Sequence, residues 1–445
     1  MTAEATAGTR AGTSPGRRPS GRVLAVRLDS DGDVLLTGPA VAALGTGADG
    51  RPREVDLLVS PAGRAAGALL PGVAQLRVFD PPWSGYRPAA LDPRAVEDLL
   101  GWLRERRHDE VVVVTSFHQS PLPMALLARM AGAPTVVGAS EDYPGSLLDV
   151  RHRRGGGADG SGGGHEVLAA LALVAATGRA VPSTPRLALR RDLVDAADQH
   201  LPAVSGLGEV LVRSVGEDRG LVVLHPGASV PARAPSPEVA AGAAAALVAD
   251  GWDVVLTGSA AEADLVALVG ALAARQLDAA PAATGGGPGR LVDAAGSTDL
   301  AGLAALLRRA RAVVVGNTGP AHLAAAVGTP VVSLFSPVVP AERWAPWGVP
   351  VALLGDQDAA CALSRARECP VPGHPCLSVR GDEVVEAVRS VVGPAPAGAA
   401  RADDRSPAPW TGVGEHHGTG RAPRGPVGTS PGAATAPGDD GGVGT

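Results

Sequence analysis

The chain has 445 residues, of which 45% are hydrophobic and only 2% aromatic, and its formal net charge is −6. This length exceeds that of a small single module and suits two or three domains. All 39 positive charges are arginines, because the sequence contains no lysine. A negative balance without arginine clusters and interleaved aromatics argues against a nucleic-acid partner.

The two ends of the chain differ in composition from its middle. Residues 1–20 and 396–445 are rich in Gly, Pro, Ala and Thr without apolar periodicity, which predicts disordered tails. The first 20 residues have no apolar core of a signal peptide, and no stretch approaches the roughly 18 apolar residues of a spanning helix. Three cysteines fit a reducing compartment. The expected location is the cytoplasm.

The first half of the middle alternates short Val/Leu runs with stretches of helical period, which is typical of βα units on a parallel sheet. The predicted strands are Val23–Leu28, Val55–Ser60, Leu76–Phe79, Glu110–Thr115 and Thr135–Gly138. The predicted helices are Val34–Leu44, Pro93–Arg106 and Pro121–Met130. The Gly-rich residues 155–164 follow no predicted strand, so we expect a flexible insertion there, followed by a short helix over His165–Ala176.

The second half repeats this alternation. Its predicted strands are Gly220–His225, Trp252–Thr257, Leu291–Ala294, Ala312–Val315 and Pro330–Phe335. Its predicted helices are Pro237–Asp250, Ala260–Arg275, Leu300–Ala310 and Pro320–Val327. The whole pattern predicts an α/β protein with two domains, 21–205 and 206–395, facing a cleft. Ligands of open α/β sheets bind beyond the carboxyl ends of the strands, so the loops after strands are the candidate sites.

The loop after the first predicted strand carries Asp29, Asp31 and Asp33. Asp33 stands where the helix is expected to begin, so it is a candidate helix N-cap or a candidate general base in the cleft. The Asp-x-Asp-x-Asp spacing also matches the start of a calcium loop. That reading fails because Val34 and Ala40 occupy positions that require Gly and Glu.

Two loops of the second half carry further candidates. Ser229 and Arg233 follow the strand that ends in His225, and an arginine fork suits a diphosphate, although a solvated surface arginine is equally compatible with the pattern. Glu262 opens the next helix, where it either complements the helix dipole or accepts a hydrogen bond from a ribose hydroxyl.

The strongest local pattern is a Val strand that leads into Asn317, Thr318, Gly319 and Pro320. Asn or Thr caps a helix, Gly permits close approach and Pro fits the first turn, so this helix start offers free N–H groups to a phosphate. His322 lies one turn into the predicted helix, where it either packs in the core or takes part in the chemistry.

Three ordered motifs, RLDSDGDVLLTGPA, HPGAS and GNTGPAHLAAAVGTPVVSLFSP, resemble glycosyltransferase family 9, the ADP-heptose lipopolysaccharide heptosyltransferases and their relatives. The resemblance covers the middle of the chain and implies the GT-B architecture, with two Rossmann-like domains, the acceptor on the first and a nucleotide-sugar donor on the second. It implies an inverting transfer, without a metal or other cofactor, of a sugar such as a heptose.

The resemblance also assigns roles to residues. Asp33 is the implied catalytic base, and Asp31 stands where relatives usually carry an apolar residue. The implied donor contacts are the diphosphate site at Thr318 and Gly319 with His322 nearby, a second phosphate contact at Ser229 and Arg233, and nucleoside contacts at Glu262 and Thr298. Asn317, the only asparagine of the chain, replaces the Asp that many relatives carry before the Thr-Gly pair.

The implied acceptor is a hydroxyl of a cell-envelope glycan or glycolipid, which would allow peripheral association with the inner face of the plasma membrane. A nucleotide-sugar epimerase or isomerase of the same fold is an alternative that needs no acceptor. A non-catalytic sugar-nucleotide binder is another, raised by Asn317.

The cysteines lie in one short segment. Cys361, Cys369, His374 and Cys376 are four potential zinc ligands within 16 residues, but the segment lacks a closely spaced cysteine pair. Structural or solvent-facing thiols are the favoured interpretation, and a zinc site is the alternative.

Overall fold

The computed structural model describes residues 21–85, 88–154, 164–204, 206–216, 220–279 and 289–392. The predicted tails at 1–20 and 396–445, and residues 155–163 of the predicted insertion, lie outside the described residues.

The first half contains a six-stranded parallel sheet in the order β3-β2-β1-β4-β5-β6. Its strands are β1 Arg22–Arg27, β2 Glu54–Val59, β3 Val73–Val78, β4 Glu110–Val113, β5 Thr135–Ala139 and β6 Val150–His152. In the middle of the sheet, Ala25 pairs with Leu57 on one side and Val112 on the other. Helices cover both faces, so the central strands are near-continuous apolar runs.

Strand β6 was not predicted. It is three residues long, polar in two of them and half-buried at the sheet edge, so it lacks the apolar run that identifies central strands. Because β6 ends just before the Gly-rich residues, the expectation that these residues follow no strand was wrong.

The helices of the first half begin at residues that suit helix starts. They are α1 Asp31–Leu44, α2 Arg64–Leu69, α3 Pro93–Arg106, α4 Leu122–Met130, α5 Glu166–Ala175, α6 Arg191–Asp198 and α7 Leu207–Gly216. Asp92 caps α3 by accepting a hydrogen bond from the Arg94 N–H, and Pro93 occupies the first turn, where its missing N–H costs nothing.

The second half contains a second six-stranded parallel sheet, in the order β12-β11-β10-β7-β8-β9. Its strands are β7 Leu221–His225, β8 Asp253–Leu256, β9 Leu291–Asp293, β10 Ala312–Gly316, β11 Val331–Leu334 and β12 Val351–Leu354. Its helices are α8 Pro237–Ala249, α9 Ala263–Ala279, α10 Leu300–Arg309, α11 Gly319–Ala326, α12 Ala341–Trp344 and α13 Gly381–Val392. Two parallel sheets with helices confirm the predicted α/β class.

The two sheets share one topology that positions the site. In the first, the direction of strand order reverses between β1 and β4, and in the second it reverses between β7 and β10. Such switch points open a crevice at the carboxyl ends of the strands. Four loops therefore border the expected crevice, namely those after β1, β4, β7 and β10.

A segment of the second half is inserted into the first half around α12. Arg343 is 1% exposed, lies 3.4 Å from Glu166, and places its guanidinium 4.3 Å from the centre of the Phe117 ring. The His165 Nε2 lies 2.8 Å from the Ala345 carbonyl oxygen, and the Trp347 indole N–H donates to the Pro185 carbonyl at 2.8 Å. These contacts join the halves through buried polar groups as well as apolar packing. None of the described helices is long and apolar enough to cross a membrane.

Candidate active site

A cleft of about 1510 Å³ lies between the halves and is bordered by the loops at the two switch points. The sequence-predicted residues that line it are Asp33, Ser229, Arg233, Glu262, Thr298, Thr318 and Gly319. Asn317 and His322 are buried directly behind these residues. The topology thus brings residues from five separate loops to one place.

Helix α1 begins earlier than predicted, and this changes the position of Asp33. The N-cap is Ser30, so Asp33 is the third helical residue and does not cap the helix. Its Oδ2 accepts a hydrogen bond from the Ser30 hydroxyl at 2.9 Å. Asp31, at the first helical position, instead accepts from the Ala66 N–H at 2.8 Å and joins α1 to α2. Of these two carboxylates, Asp33 is the one that pairs with the buried guanidinium of Arg27.

Arg27, at the end of β1, belongs to this site and was not predicted from the sequence. It is 1% exposed, and its Nη2 donates to Asp33 Oδ1 and to the Ser116 hydroxyl, both at 2.9 Å. Its Nε lies 2.9 Å from Asp29 Oδ2. One guanidinium thus fixes two of the three aspartates of the loop. A charged residue that ends an otherwise apolar strand was the signal available in the sequence.

The carboxyl groups of Asp29 and Asp33, which both pair with Arg27, have pKa values shifted in opposite directions. Burial raises the pKa of Asp29 to about 6, although the charge of Arg27 opposes the rise. Burial also acts against ionisation of Asp33, but Arg27 together with the Ser30 hydrogen bond outweighs it and lowers the Asp33 pKa below its usual value. Asp33 is therefore a carboxylate at neutral pH, and each of its oxygens keeps a lone pair beyond the hydrogen bond that it accepts.

The N-terminus of α11 faces that of α1 across the cleft, and two glycines allow the approach. A Cβ atom on Gly32 would lie 3.0 Å from His322 Cδ2 and 3.2 Å from the Gly319 Cα. Thr318 is the N-cap of α11, and its side chain makes no capping hydrogen bond. The first N–H groups of a helix have no partner within the helix, so this junction suits an anion.

Two basic side chains flank the junction. Burial lowers the pKa of His322 to about 4 against the opposing charge of Asp33, so its ring is neutral at physiological pH. Burial also lowers the pKa of Arg233, again opposed by Asp33. The Nε of Arg233 and the Nδ1 of His322 are buried without a hydrogen-bond partner among the described residues. Arg233 is therefore the cation beside the start of α11, and its Nε–H can still donate a hydrogen bond.

Glu262 serves both a helix and the cleft. Its Oε2 accepts from the N–H and the hydroxyl of Ser259 at 2.7 and 2.8 Å, which forms a capping box. Its Oε1 lies 4.0 Å from His225 Nε2 and faces Gly227, where any Cβ would come within 1.9 Å of that oxygen. Glu262 is thus held rigidly by its helix start while one oxygen remains directed toward the cleft wall.

Asn317 and Thr298 are placed by structural contacts. The Asn317 amide exchanges two hydrogen bonds of 3.4 Å with the backbone of Ser336, which ties the loop after β10 to the end of β11. Thr298 lines the cleft just before Asp299, which caps α10 by accepting from the Gly302 N–H at 2.8 Å. The Asn317 side chain is therefore engaged with the protein backbone.

The cysteines do not line the cleft, although Arg365 and Arg367 of the same segment do. Cys361 and Cys376 are buried and Cys369 is half-buried, with its thiol near the Val371 carbonyl at 3.3 Å. Burial, together with the neighbouring Cys361, raises the pKa of Cys376 to about 11. Within the described part of the chain, no three His, Cys, Asp or Glu side chains are placed to hold a metal ion.

Comparisons with known proteins place this arrangement in context. The family model of glycosyltransferase family 9 (heptosyltransferase) matches residues 99–374. No curated protein matches the chain. The structure is similar to that of E. coli ADP-heptose lipopolysaccharide heptosyltransferase II, with a TM-score of 0.58 and 19% identity over 83% of this chain and 98% of the other.

Two further solved structures share the architecture. The family 9 glycosyltransferase from Veillonella parvula has a TM-score of 0.62 and 15% identity over 85% of this chain and 99% of its own. E. coli heptosyltransferase WaaC with ADP has a TM-score of 0.52 and 18% identity over 83% of this chain and 97% of its own. At these identities the likeness shows the fold, and it confirms the predicted GT-B architecture.

Proposed function

Because the chain belongs to glycosyltransferase family 9, we propose that it transfers a sugar from a nucleoside-diphosphate donor to a hydroxyl of an acceptor, with inversion at the anomeric carbon and without a metal ion. The observation that carries this proposal is the pairing, across one cleft, of an ionised, half-buried carboxylate with a helix start that lies beside an arginine. The first supplies a base and the second supports a departing diphosphate.

We assign the base to Asp33. Its two oxygens are fixed by Arg27 and Ser30, and its lowered pKa keeps it ionised at neutral pH. A positioned carboxylate that takes the proton of an attacking hydroxyl contributes about 10² to 10⁴-fold to a rate. Attack from the face opposite the diphosphate inverts the anomeric centre.

We assign the leaving group to the junction of α11 with Arg233. Gly319 presents its N–H at a helix N-terminus, Thr318 lines the cleft beside it, and the Arg233 guanidinium adds a full positive charge. The neutral ring of His322 contributes a hydrogen-bonding group without a charge. With these groups directed at the diphosphate, its developing charge is stabilised without a divalent cation.

The remaining donor contacts follow the same wall. Ser229 lies beside Arg233 as a second phosphate contact, and Glu262 and Thr298 line the cleft where the nucleoside would extend. Asn317 lies behind these residues and holds the loop after β10 by its hydrogen bond to the Ser336 carbonyl. The E. coli relatives are described with ADP-heptose and ADP, and we propose an ADP-linked sugar such as a heptose as the first donor to test. A cell-envelope glycan or glycolipid acceptor, met at the inner face of the plasma membrane, completes the proposal.

Release of nucleoside diphosphate tests this assignment. Purified protein is incubated with ADP- and UDP-linked sugars, with and without hydroxyl acceptors and in the presence of EDTA. Acceptor-dependent release that survives EDTA, with an inverted product by NMR, supports the proposal. Conversion of the donor sugar without acceptor would indicate an epimerase, and donor binding without turnover would indicate a binding protein.

A further inference from the structure

The Arg27 guanidinium faces a third carboxylate, which comes from a helix behind the cleft. Its Nη1 lies 3.6 Å from Glu166 Oε2, while its Nη2 and Nε face Asp33 and Asp29, each at 2.9 Å. Glu166 is the first residue of α5, is 3% exposed, and is not among the described residues that line the cleft. Because each nitrogen faces a different carboxylate, the direction of the guanidinium is fixed on three sides.

The other oxygen of Glu166 faces arginines from distant parts of the chain. Its Oε1 lies 3.4 Å from Arg343 Nη1 and 3.9 Å from Arg154 Nη1. Arg343 belongs to α12 of the second half, and its guanidinium lies 4.3 Å from the centre of the Phe117 ring. Glu166 thus lies between Arg27, which contacts the proposed base, and an arginine supplied by the other half.

Burial makes this series of charges sensitive to each member. The side chains of Arg27, Glu166 and Arg343 are each at most 2% exposed, and charges interact more strongly in a protein interior than in water. Without Arg343, the Glu166 carboxylate would attract Arg27 more strongly, at the expense of Asp33. With a neutral side chain at position 166, Arg27 would serve Asp33 and Asp29 alone. Loss of the two charges should therefore act on the base in opposite directions.

Other ionisable groups face Asp33 from three elements. They are His118 in the loop after β4, Arg233 in the loop after β7 and His322 on α11. Burial lowers the pKa of both histidines, to about 4 for His322, so their rings are neutral at neutral pH. Among these three groups, Arg233 is therefore the one that brings a charge to Asp33 at neutral pH.

Asp29 connects Glu166 to the proton equilibrium of the base. Burial, together with the charges of Asp33 and Glu166, raises the pKa of Asp29 to about 6 against the charge of Arg27. Carboxyl groups that share one arginine titrate as a unit, so the acid limb of kcat/KM reports the whole group. A limb in this pH range can be followed in both directions.

We propose that Glu166 and Arg343 are positioning residues for the proposed base, Asp33. Glu166 holds the Arg27 guanidinium in the direction that pairs it with this base, and Arg343 balances the charge of Glu166. The inference rests on the proposed function and adds two residues that act through Arg27. Because Arg343 comes from the second half, the base is complete only where α12 packs against the first half.

Opposite shifts of the pH profile test the proposal. Acceptor-dependent release of nucleoside diphosphate is followed across pH with the ADP- or UDP-linked sugar and acceptor that the wild type uses. Glu166→Gln should move the acid limb of kcat/KM to lower pH by about 0.5–1 unit, and Arg343→Met should move it to higher pH by a similar amount. The double variant should lie near the wild-type position, because both charges leave together. Arg343→Lys keeps the charge and should keep the limb.

A matched control separates this role from the loss of a buried ion pair. Glu110 pairs with Arg179 at 2.6 Å at the start of β4, at the end of the strand away from the cleft. Glu110→Gln should lower the free energy of unfolding without moving the acid limb.

Two results overturn the proposal, namely an unmoved limb in both single variants and a shift in the same direction in both. If Glu166→Gln does not fold, the comparison of Arg343→Met with Arg343→Lys decides, and equal limbs overturn it. A wild type without acceptor-dependent release overturns the proposed function and this inference with it. Wild-type transfer combined with unmoved limbs overturns the inference alone.

Discussion

The Arg27 Nη2 lies 2.9 Å from Asp33 Oδ1, so the proposed base is paired with a cation that is almost completely buried. The same guanidinium faces Asp29 at 2.9 Å and Glu166 at 3.6 Å. Because three carboxyl groups surround one arginine, the protonation state of Asp33 depends on the whole cluster. Activity at this site should therefore respond both to the base and to the group that orients it.

Asp33→Asn removes the base with almost no change in shape. We expect kcat to fall by about 10² to 10⁴-fold, because the amide cannot take the acceptor proton. The Kd for nucleoside diphosphate, measured by calorimetry, should change little. Asp31→Asn is the matched control, since Asp31 bonds to the Ala66 N–H, and it should retain turnover. Full activity of Asp33→Asn would contradict the assignment.

Arg27→Met should change the pH dependence of the reaction. Arg27 lowers the Asp33 pKa, so its removal raises that pKa and moves the acid limb of kcat/KM to higher pH. Asp29 and Asp33 lose their arginine and Glu166 loses one of three, and we expect a loss of about 3–5 kcal/mol in the free energy of unfolding. Arg27→Lys keeps the charge and should keep the acid limb near its wild-type position. An acid limb that does not move in Arg27→Met would show that another group titrates there.

Gly32→Ala tests the contact between the two helix starts. The new Cβ would meet His322 Cδ2 at 3.0 Å and the Gly319 Cα at 3.2 Å, so the helix ends must separate. We expect a stability cost of about 1–3 kcal/mol and a clear loss of turnover. Gly101→Ala in α3, where a Cβ meets nothing within 4 Å, is the control and should stabilise the helix by about 0.5–1 kcal/mol. Equal activity of the two variants would contradict a close helix junction.

Glu166 and Arg343 should differ in their effect on stability. Glu166 faces Arg27 at 3.6 Å, Arg154 at 3.9 Å and Arg343 at 3.4 Å, so Glu166→Gln leaves three buried or half-buried arginines short of a partner. We expect a loss of about 3–5 kcal/mol in urea unfolding. Arg343→Met should cost less, because Glu166 retains the other two arginines. Asp382→Asn, in an exposed pair with Arg380, should cause no measurable change.

His165 should contribute a pH-dependent term to stability. Burial lowers its pKa to about 4, against about 6.5 in an unfolded chain, so the unfolded state binds more protons between these values. Stability from this residue is therefore full above pH 6.5 and is lost as the pH falls toward 4. The raised pKa of Asp29, about 6, acts in the opposite sense between about 3.8 and 6. In His165→Gln, the pH slope of the unfolding free energy should be smaller than in wild type, and an equal slope would refute the assignment.

The sequence predicted the central strands and the loops that follow them, because buried parallel strands are apolar runs and ligands gather at their carboxyl ends. It did not predict β6 or α2, which are short, or the place of Asp33 inside α1 rather than at its cap. It also did not predict β12 or α13, although α13 is amphipathic and its helical pattern was readable in the sequence. The ion pair of Arg343 with Glu166 spans 177 positions, and no local pattern could indicate it.

The inserted segment around α12 makes the halves dependent on each other during folding and in engineering. Arg343, Ala345 and Trp347 belong to the second half by sequence, but their partners Glu166, His165 and Pro185 belong to the first. A chimera joined between residues 205 and 206 would pack the 341–347 segment of one protein against the first half of another. Exchange of the first half among relatives, as a route to new acceptors, therefore requires residues 341–347 to be exchanged with it.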